Sequence, residues 1–375
     1  MWPSSKPALL FAAHARRQLQ LRLFTTGPSA LSPGQIEKLR RSKLENVYQV
    51  FRTMERGPKY TELATSGRVW EDYARPGNLT EFLRVQDELK DWLKGLDELR
   101  EEASRKMTLS DMALTLTSAV AHQSVAFEGN PLTLGDTGIV RDGLFGKIDA
   151  SLDGSLSTPM SALGSIQLPP AAELLPNEDP SAVAELRNQL FLSQYLAENS
   201  TRIASSPDFA QPDLHDIKTI SAILLRGTSA EALYANTWGP KVPLGEFRLV
   251  PIQVRSHPLA IFPYPDEVPA LMDRLLLWRQ ETHAKAVLHP LIFAARYETY
   301  FTAIHPFLDG NGRVGRFLAG LYLTQNGFLA TSYHNLDRKG YLRAVGEVHE
   351  GWPDLLCWSM LEAQRDTLIT FLGTP

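Results

Sequence analysis

The densest chemistry in the chain lies in one short stretch, His305-Pro-Phe-Leu-Asp-Gly-Asn-Gly-Arg-Val-Gly-Arg316. It holds a base, a carboxylate, an amide, two guanidinium groups and three glycines. Gly310 and Gly312 admit positive φ and let backbone N–H groups come close to a ligand. A turn that feeds a helix N-terminus is an anion site, because unpaired N–H groups and the helix dipole both favour negative charge. Arg313 and Arg316 add planar, permanently charged forks suited to phosphate oxygens. Asp309 is a hard oxygen ligand of the kind that holds Mg2+ against a polyphosphate. His305 could then take a proton from a hydroxyl arriving beside that phosphate. A lone Asp-Gly is ordinarily a turn and a lone His ordinarily a cap; here all the parts occur together, and they point to nucleotide-dependent group transfer.

Such a turn needs a helix on either side. Apolar, helix-compatible sequence runs from Pro290 to Ile304 and from Phe317 to Leu323, so one helix should end near His305 and another begin near Arg313. Gly327 should stop the second. Further helices are expected over Ala182–Glu198, Leu214–Leu225 and Val268–Leu288. Upstream, Ser110-Asp111 and Gly129 bracket a helix expected over Met112–Glu128, ending in Ser124-Val-Ala-Phe-Glu128-Gly129-Asn130. On its own, Glu128 would be a solvated helix terminus. Gly245-Glu-Phe-Arg248, Leu249–Val254 and Leu259–Tyr264 alternate in a β-like way around Arg255-Ser256-His257-Pro258, the pattern of a hairpin. Its exposed edge could align a target segment by strand addition. Tyr341, in Arg338-Lys-Gly-Tyr341, reads equally as a core aromatic or as a ring for a base to stack on.

The 305–316 segment resembles, without a mismatch, the signature of the Fic (fido) family, His-x-Phe-x-Asp/Glu-Gly-Asn-Gly-Arg-x-x-Arg. Ser124 to Gly129 resembles that family's inhibitory motif, a Ser or Thr four residues before a Glu that is followed by Gly or Asn. The resemblance covers roughly Ser110 to Leu372 and implies an all-α Fic fold, with the hairpin as a small flap over the site and a helical N-terminal region. It implies a protein adenylyltransferase that moves AMP from ATP to a hydroxyl of a target protein. In that reading Asp309 holds Mg2+, Gly310 to Gly312 offer backbone N–H groups, and Asn311 helps hold the α-phosphate. Arg313 takes the β/γ end and His305 is the base. Tyr341 and His349 lie where relatives contact the adenosine end, although an Asn is common at the His349 position. Glu128 would bind Arg316 and block the productive γ-phosphate pose. Glu298 stands where relatives often carry His, two helical turns before His305 on the same face. Phe307 is an apolar anchor for the turn. The same motif leaves open removal of AMP, transfer of another phosphate-containing group, a silent nucleotide-binding adaptor, and assembly as a homodimer.

Composition narrows the class. Hydrophobic residues at 43% and charged residues at 21% fit a globular protein with a sizeable core. A net charge of −4 gives no electrostatic case for nucleic acid, and no apolar run approaches a membrane-spanning length. The single Cys357 excludes an intrachain disulfide and a multi-Cys zinc site. Residues 1–36 carry Lys6, Arg16, Arg17 and Arg22 with no acidic residue, the pattern of a mitochondrial transit peptide, with Arg22-Leu-Phe-Thr-Thr26 as a processing site. Without processing the protein would stay in the cytoplasm. Residues 37–109 read as charged helices packing on the main domain, and residues 110–130 as the inhibitory helix. Gly146 to Pro180, rich in Gly, Ser and Pro, reads as a flexible surface insertion before the core at 181–372.

Overall fold

The computed structural model describes residues 31–148, 159–206, 211–236, 241–255 and 257–373. The transit-peptide segment therefore falls outside the described residues apart from its last few positions. The N-terminal region forms α1 (Pro33–Val47), α2 (Pro58–Ser66), α3 (Arg68–Ala74), α4 (Thr80–Glu88) and α5 (Lys90–Lys106). After these come α6 (Leu109–Ala126), α7 (Leu134–Ile148), the single turn α8 (Ala171–Leu174), α9 (Pro180–Ser205), α10 (Leu214–Leu225) and α11 (Ser229–Asn236). The chain closes with α12 (Val268–Lys285), α13 (Pro290–Ile304), α14 (Asn311–Gln325), α15 (Arg338–His349) and α16 (Asp354–Leu372).

Helix α13 is the axis. Apolar side chains point in every direction from it, so all its faces must be covered, and Leu291 to Phe301 are buried without a break. Pro290 starts it with a φ already helical and no N–H to satisfy. Against it pack α12, α14, α15 and α16, while α9 lies along both α6 and α14. Helix α9 is buried along most of its length, from Val183 to Ile203. The N-terminal helices pack on this body: Trp92 meets Trp358 edge-on at 5.3 Å, and Trp70 donates its indole N–H to the Ile261 carbonyl at 2.7 Å. No described helix is long and apolar enough to cross a membrane.

Two expectations are corrected. The flap does not form a hairpin; no strand forms among the described residues, and 241–255 and 257–264 run as turns and irregular chain. Pro251, Pro258 and Pro263 lack ladder donors. The buried guanidinium of Arg248 meanwhile takes the carbonyls of Val250 (3.1 Å) and Pro263 (2.7 Å) that a ladder would need. The expected insertion is packed where it is described: Met160, Leu163 and Leu174 are buried, and Arg226 donates to the Gly164 and Ile166 carbonyls at 2.8 and 3.1 Å. Its most Gly- and Ser-rich part, residues 149–158, lies outside the described residues.

Candidate active site

The signature turn is folded by its own side chains. Helix α13 ends with His305 in the left-handed region at φ 53°, and Gly310 caps α14 at φ 78°. A side chain at Gly310 would be strained by that φ and would press on Leu225 at 3.1 Å. Between these two residues Asn311 spans the turn: its amide oxygen accepts the Phe307 N–H at 3.0 Å and its amide nitrogen donates to the Phe307 carbonyl at 2.9 Å. Asn311 is thus a clamp on the turn, and its amide nitrogen, with one N–H on Phe307, keeps a second N–H at the cleft lining. Phe307 is fully buried beneath. Helix α14 begins at Asn311, two residues earlier than the apolar pattern indicated.

Above the turn is a cleft of about 390 Å³ whose walls include Glu128, Val254, Phe262, His305, Asp309, Arg316 and Tyr341. His305 is half-buried, with Phe262 tilted against its ring at 4.9 Å. Its Nδ1 lies 3.1 Å from the Thr302 carbonyl, which fixes the proton there and leaves Nε2 as the acceptor. Burial, reinforced by the Arg248 charge, pushes its pKa down to about 4, so the ring is a neutral base at pH 7. Arg248 also donates from Nε to the His305 carbonyl at 2.8 Å, and its own N–H binds the Pro306 carbonyl at 2.9 Å. No spacing in the sequence singles out Arg248, because its partners lie far along the chain.

Arg316 reaches from α14 into the cleft. Its Nε donates to Ser124 Oγ at 3.0 Å, and its Nη2 donates to the Ser124 carbonyl at 2.8 Å and to Glu128 Oε1 at 2.6 Å. Glu128 sits in the turn after α6, not inside the helix, and Gly129 follows at φ 96°. Burial disfavours the Glu128 carboxylate, yet Arg316 and then Arg313 hold its pKa below the usual range. A methyl group added at Gly312 would come within 2.6 Å of Glu128 Oε1. The Glu128 carboxylate therefore occupies the N-terminus of α14, where an anionic ligand would go. Arg316 Nη1 is buried without a hydrogen-bond partner, a donor that suits a ligand oxygen.

The other expected residues divide. Arg313 turns away from the cleft wall: it is buried, 3.1 Å from Glu185 of α9 and 3.7 Å from Asp309. Asp309 accepts the Gly310 N–H at 2.6 Å and keeps its side chain partly exposed in the cleft. Among the described residues no group of three or more His, Cys, Asp or Glu could hold a metal alone. One accessible carboxylate fits Mg2+, which is commonly held by one or two carboxylates with phosphate oxygens and waters completing the shell. Tyr341 is not open to a base: Phe127 already stacks on its face at 4.2 Å and 2°. His349 lines the cleft with Nε2 3.2 Å from the Thr299 carbonyl. Of the flap residues, Arg255 is exposed in the cleft wall, and His257 lies against Gly346 so closely that a methyl there would be 2.0 Å from its Nε2. Ser256 is outside the described residues. Arg338, at the rim beside Glu128, is a further cation that the motif did not single out.

Residues 211–323 match the Fic/DOC family. A probable protein adenylyltransferase of Aquifex aeolicus is 37% identical over 127 residues, covering 32% of this chain and 35% of that protein. Protein adenylyltransferase Fic of Drosophila melanogaster is 32% identical over 130 residues, 31% of this chain and 26% of that protein. The matches thus span about a third or less of these relatives. Among solved structures, Fic-1 of C. elegans superposes with a TM-score of 0.53 at 18% identity, covering 77% of this chain and 72% of that one, which is a likeness of fold. The unbroken motif, the turn it builds between two packed helices and the family match over the same residues agree: the chain carries a Fic/DOC family domain.

Proposed function

We propose that the protein is an adenylyltransferase that transfers AMP from ATP to a hydroxyl side chain of a target protein. The observation that carries this reading is the pairing, across one cleft, of an imidazole whose acceptor nitrogen is set by Thr302 with the N-terminus of α14 and the Arg316 guanidinium. The helix N-terminus and Arg316 supply fixed positive potential for a polyphosphate. Asp309 would hold Mg2+, which neutralises charge on the phosphates when bound. A target hydroxyl at His305 Nε2 gives up its proton as its oxygen attacks the α-phosphorus. The new O–P bond replaces the bond to the β-phosphate oxygen, and pyrophosphate leaves. Phosphate charge raises the His305 pKa from its low value, improving its match to a base working near neutrality.

Glu128 holds this activity down. With its carboxylate on Arg316 at 2.6 Å, a γ-phosphate meets negative charge where it needs a cation. The related names of similar proteins, protein adenylyltransferases, support the reaction class. A second reading rests on the same carboxylate: placed over the cradle, Glu128 could align a water to remove AMP from a modified target. Labelled ATP with a cell extract tests the proposal. The Glu128→Gly protein should label at least tenfold faster than wild type, about 1.4 kcal/mol of barrier. ATP binding with no label transfer by either protein rejects the enzyme in favour of a nucleotide-binding adaptor. Equal rates in two folded proteins reject the inhibitory role of Glu128 alone.

A further inference from the structure

Glu298 is a buried acidic side chain next to the cleft that the reaction does not use. It is fully buried on α13, close to the start of α14, where a methyl added at Gly315 would lie 3.5 Å from its Cγ. Both of its oxygens are engaged by phenols: Oε2 accepts from the Tyr333 hydroxyl at 3.1 Å and Oε1 accepts from the Tyr341 hydroxyl. A carboxyl group placed in an apolar core is costly unless its hydrogen bonds are made, so the two phenols are held where they are. Burial raises the Glu298 pKa, and Tyr341, Arg316 and Tyr333 counter that.

These tyrosines carry the inhibitory segment. Tyr341 presents a flat face to Phe127, stacked at 4.2 Å and 2°, and Tyr333 lies tilted against both rings at 6.2 and 5.7 Å. Phe127 is buried and directly precedes Glu128. The Arg316 guanidinium rests over the same wall, 5.5 Å from the Phe127 ring and 5.0 Å from that of Tyr341. One aromatic wall thus seats the residue before Glu128 and the cation that Glu128 binds. The turn after α6 is otherwise closed by few backbone hydrogen bonds: Glu128 and Asn130 to the Val125 carbonyl, and Gly129 to that of Ala126.

We propose that Glu298 is a positioning residue for the inhibitory segment: by fixing the Tyr341 and Tyr333 hydroxyls it sets the aromatic seat on which Phe127 docks, and so holds Glu128 on Arg316. The regulatory consequence rests on the inhibitory reading of Glu128; the seat itself does not. Glu298 touches no reacting atom. Its action passes through two hydrogen bonds and a ring stack, which places it between α13 and the cleft.

Hydrogen exchange on the full chain separates the two ideas. In Tyr341→Phe, which keeps the ring and removes the hydroxyl, amides 128–130 should exchange about tenfold faster than wild type, with α9 and α16 unchanged. Glu298→Gln should shift the same amides in the same direction. Transfer of AMP should rise several-fold in each, and neither should add to the rate of Glu128→Gly when combined with it. Unchanged exchange at 128–130 in folded Tyr341→Phe overturns the proposal, as does faster exchange spread evenly over the whole molecule. Local loosening without any gain in transfer supports the seat and removes the inhibitory reading of Glu128. Should Glu298→Gln fail to fold, Tyr341→Phe still decides.

Discussion

The two sides of the cleft are built on different principles. On the turn side most fixing contacts are local: His305 to Thr302, Asn311 to Phe307 in both directions, and Asp309 to Gly310, with the Tyr234 hydroxyl on the Leu308 N–H and Arg248 on the Pro306 carbonyl as remote additions. On the flap side more of the fixing contacts come from far away. Arg248 reaches the carbonyls of His305 and Pro263, Trp70 binds Ile261, and His257 leans on Gly346 of α15. A segment closed mainly by contacts within four residues depends less on its surroundings. A segment hung on remote partners moves when any of them moves. The machinery that must hold atoms within fractions of an ångström is local, and the wall over it is adjustable.

Substitutions can sharpen that contrast. The largest effect is expected for His305→Ala, which should slow AMP transfer 10²–10⁴-fold, about 3–5 kcal/mol of barrier. ATP affinity should stay near wild type, because the phosphate cradle is built by other residues; calorimetric titration with ATP checks this, and an unchanged rate would reject the base assignment. Next comes Asn311→Ala, which strips the Phe307 N–H and carbonyl of their partner in a buried turn. Unfolding free energy should fall by about 1–3 kcal/mol in urea titration. A neutral result would mean that the turn does not depend on its clamp.

The flap side should respond more softly. Gly346→Ala puts a methyl 2.0 Å from His257 Nε2, so the ring and its segment must shift. A several-fold loss of ATP affinity is expected with little change in thermal stability. A large drop in melting temperature with unaltered affinity would make this contact structural only. The smallest effect is in pH. Neutral His305 is the base, and its pKa in the nucleotide-free protein is pushed down to about 4, so kcat/KM should stay level as pH falls from 8 to about 5 and decline only below that. An acid limb near 6.5 would place His305 in a much wetter setting.

Much of this was legible in the chain. The turn and the helix before it were readable because motif residues sit close together and their geometry follows from helix ends and glycines. Pro290 to Ile304 was recovered to the residue because its apolar run and its Pro and His boundaries leave little choice. The hairpin was misread because alternation cannot register where the partners of Arg248 will come from. The packing of the insertion's described part was not legible because Met160 and Leu163 are isolated among polar residues and are buried only in the folded body.

By itself the sequence determined the turn after His305, its flanking helices and the presence of Glu128 at a helix end, since these rest on local propensity and short-range hydrogen bonds. Only the tertiary structure decided that Arg316 meets Glu128 across 188 positions, that Arg313 turns to Glu185, and that Phe127 covers Tyr341. Those outcomes depend on how α6 and α9 pack on α14 and how α15 packs on α13. Packing is settled by shape and burial summed over the whole core, and no single stretch of sequence carries that sum.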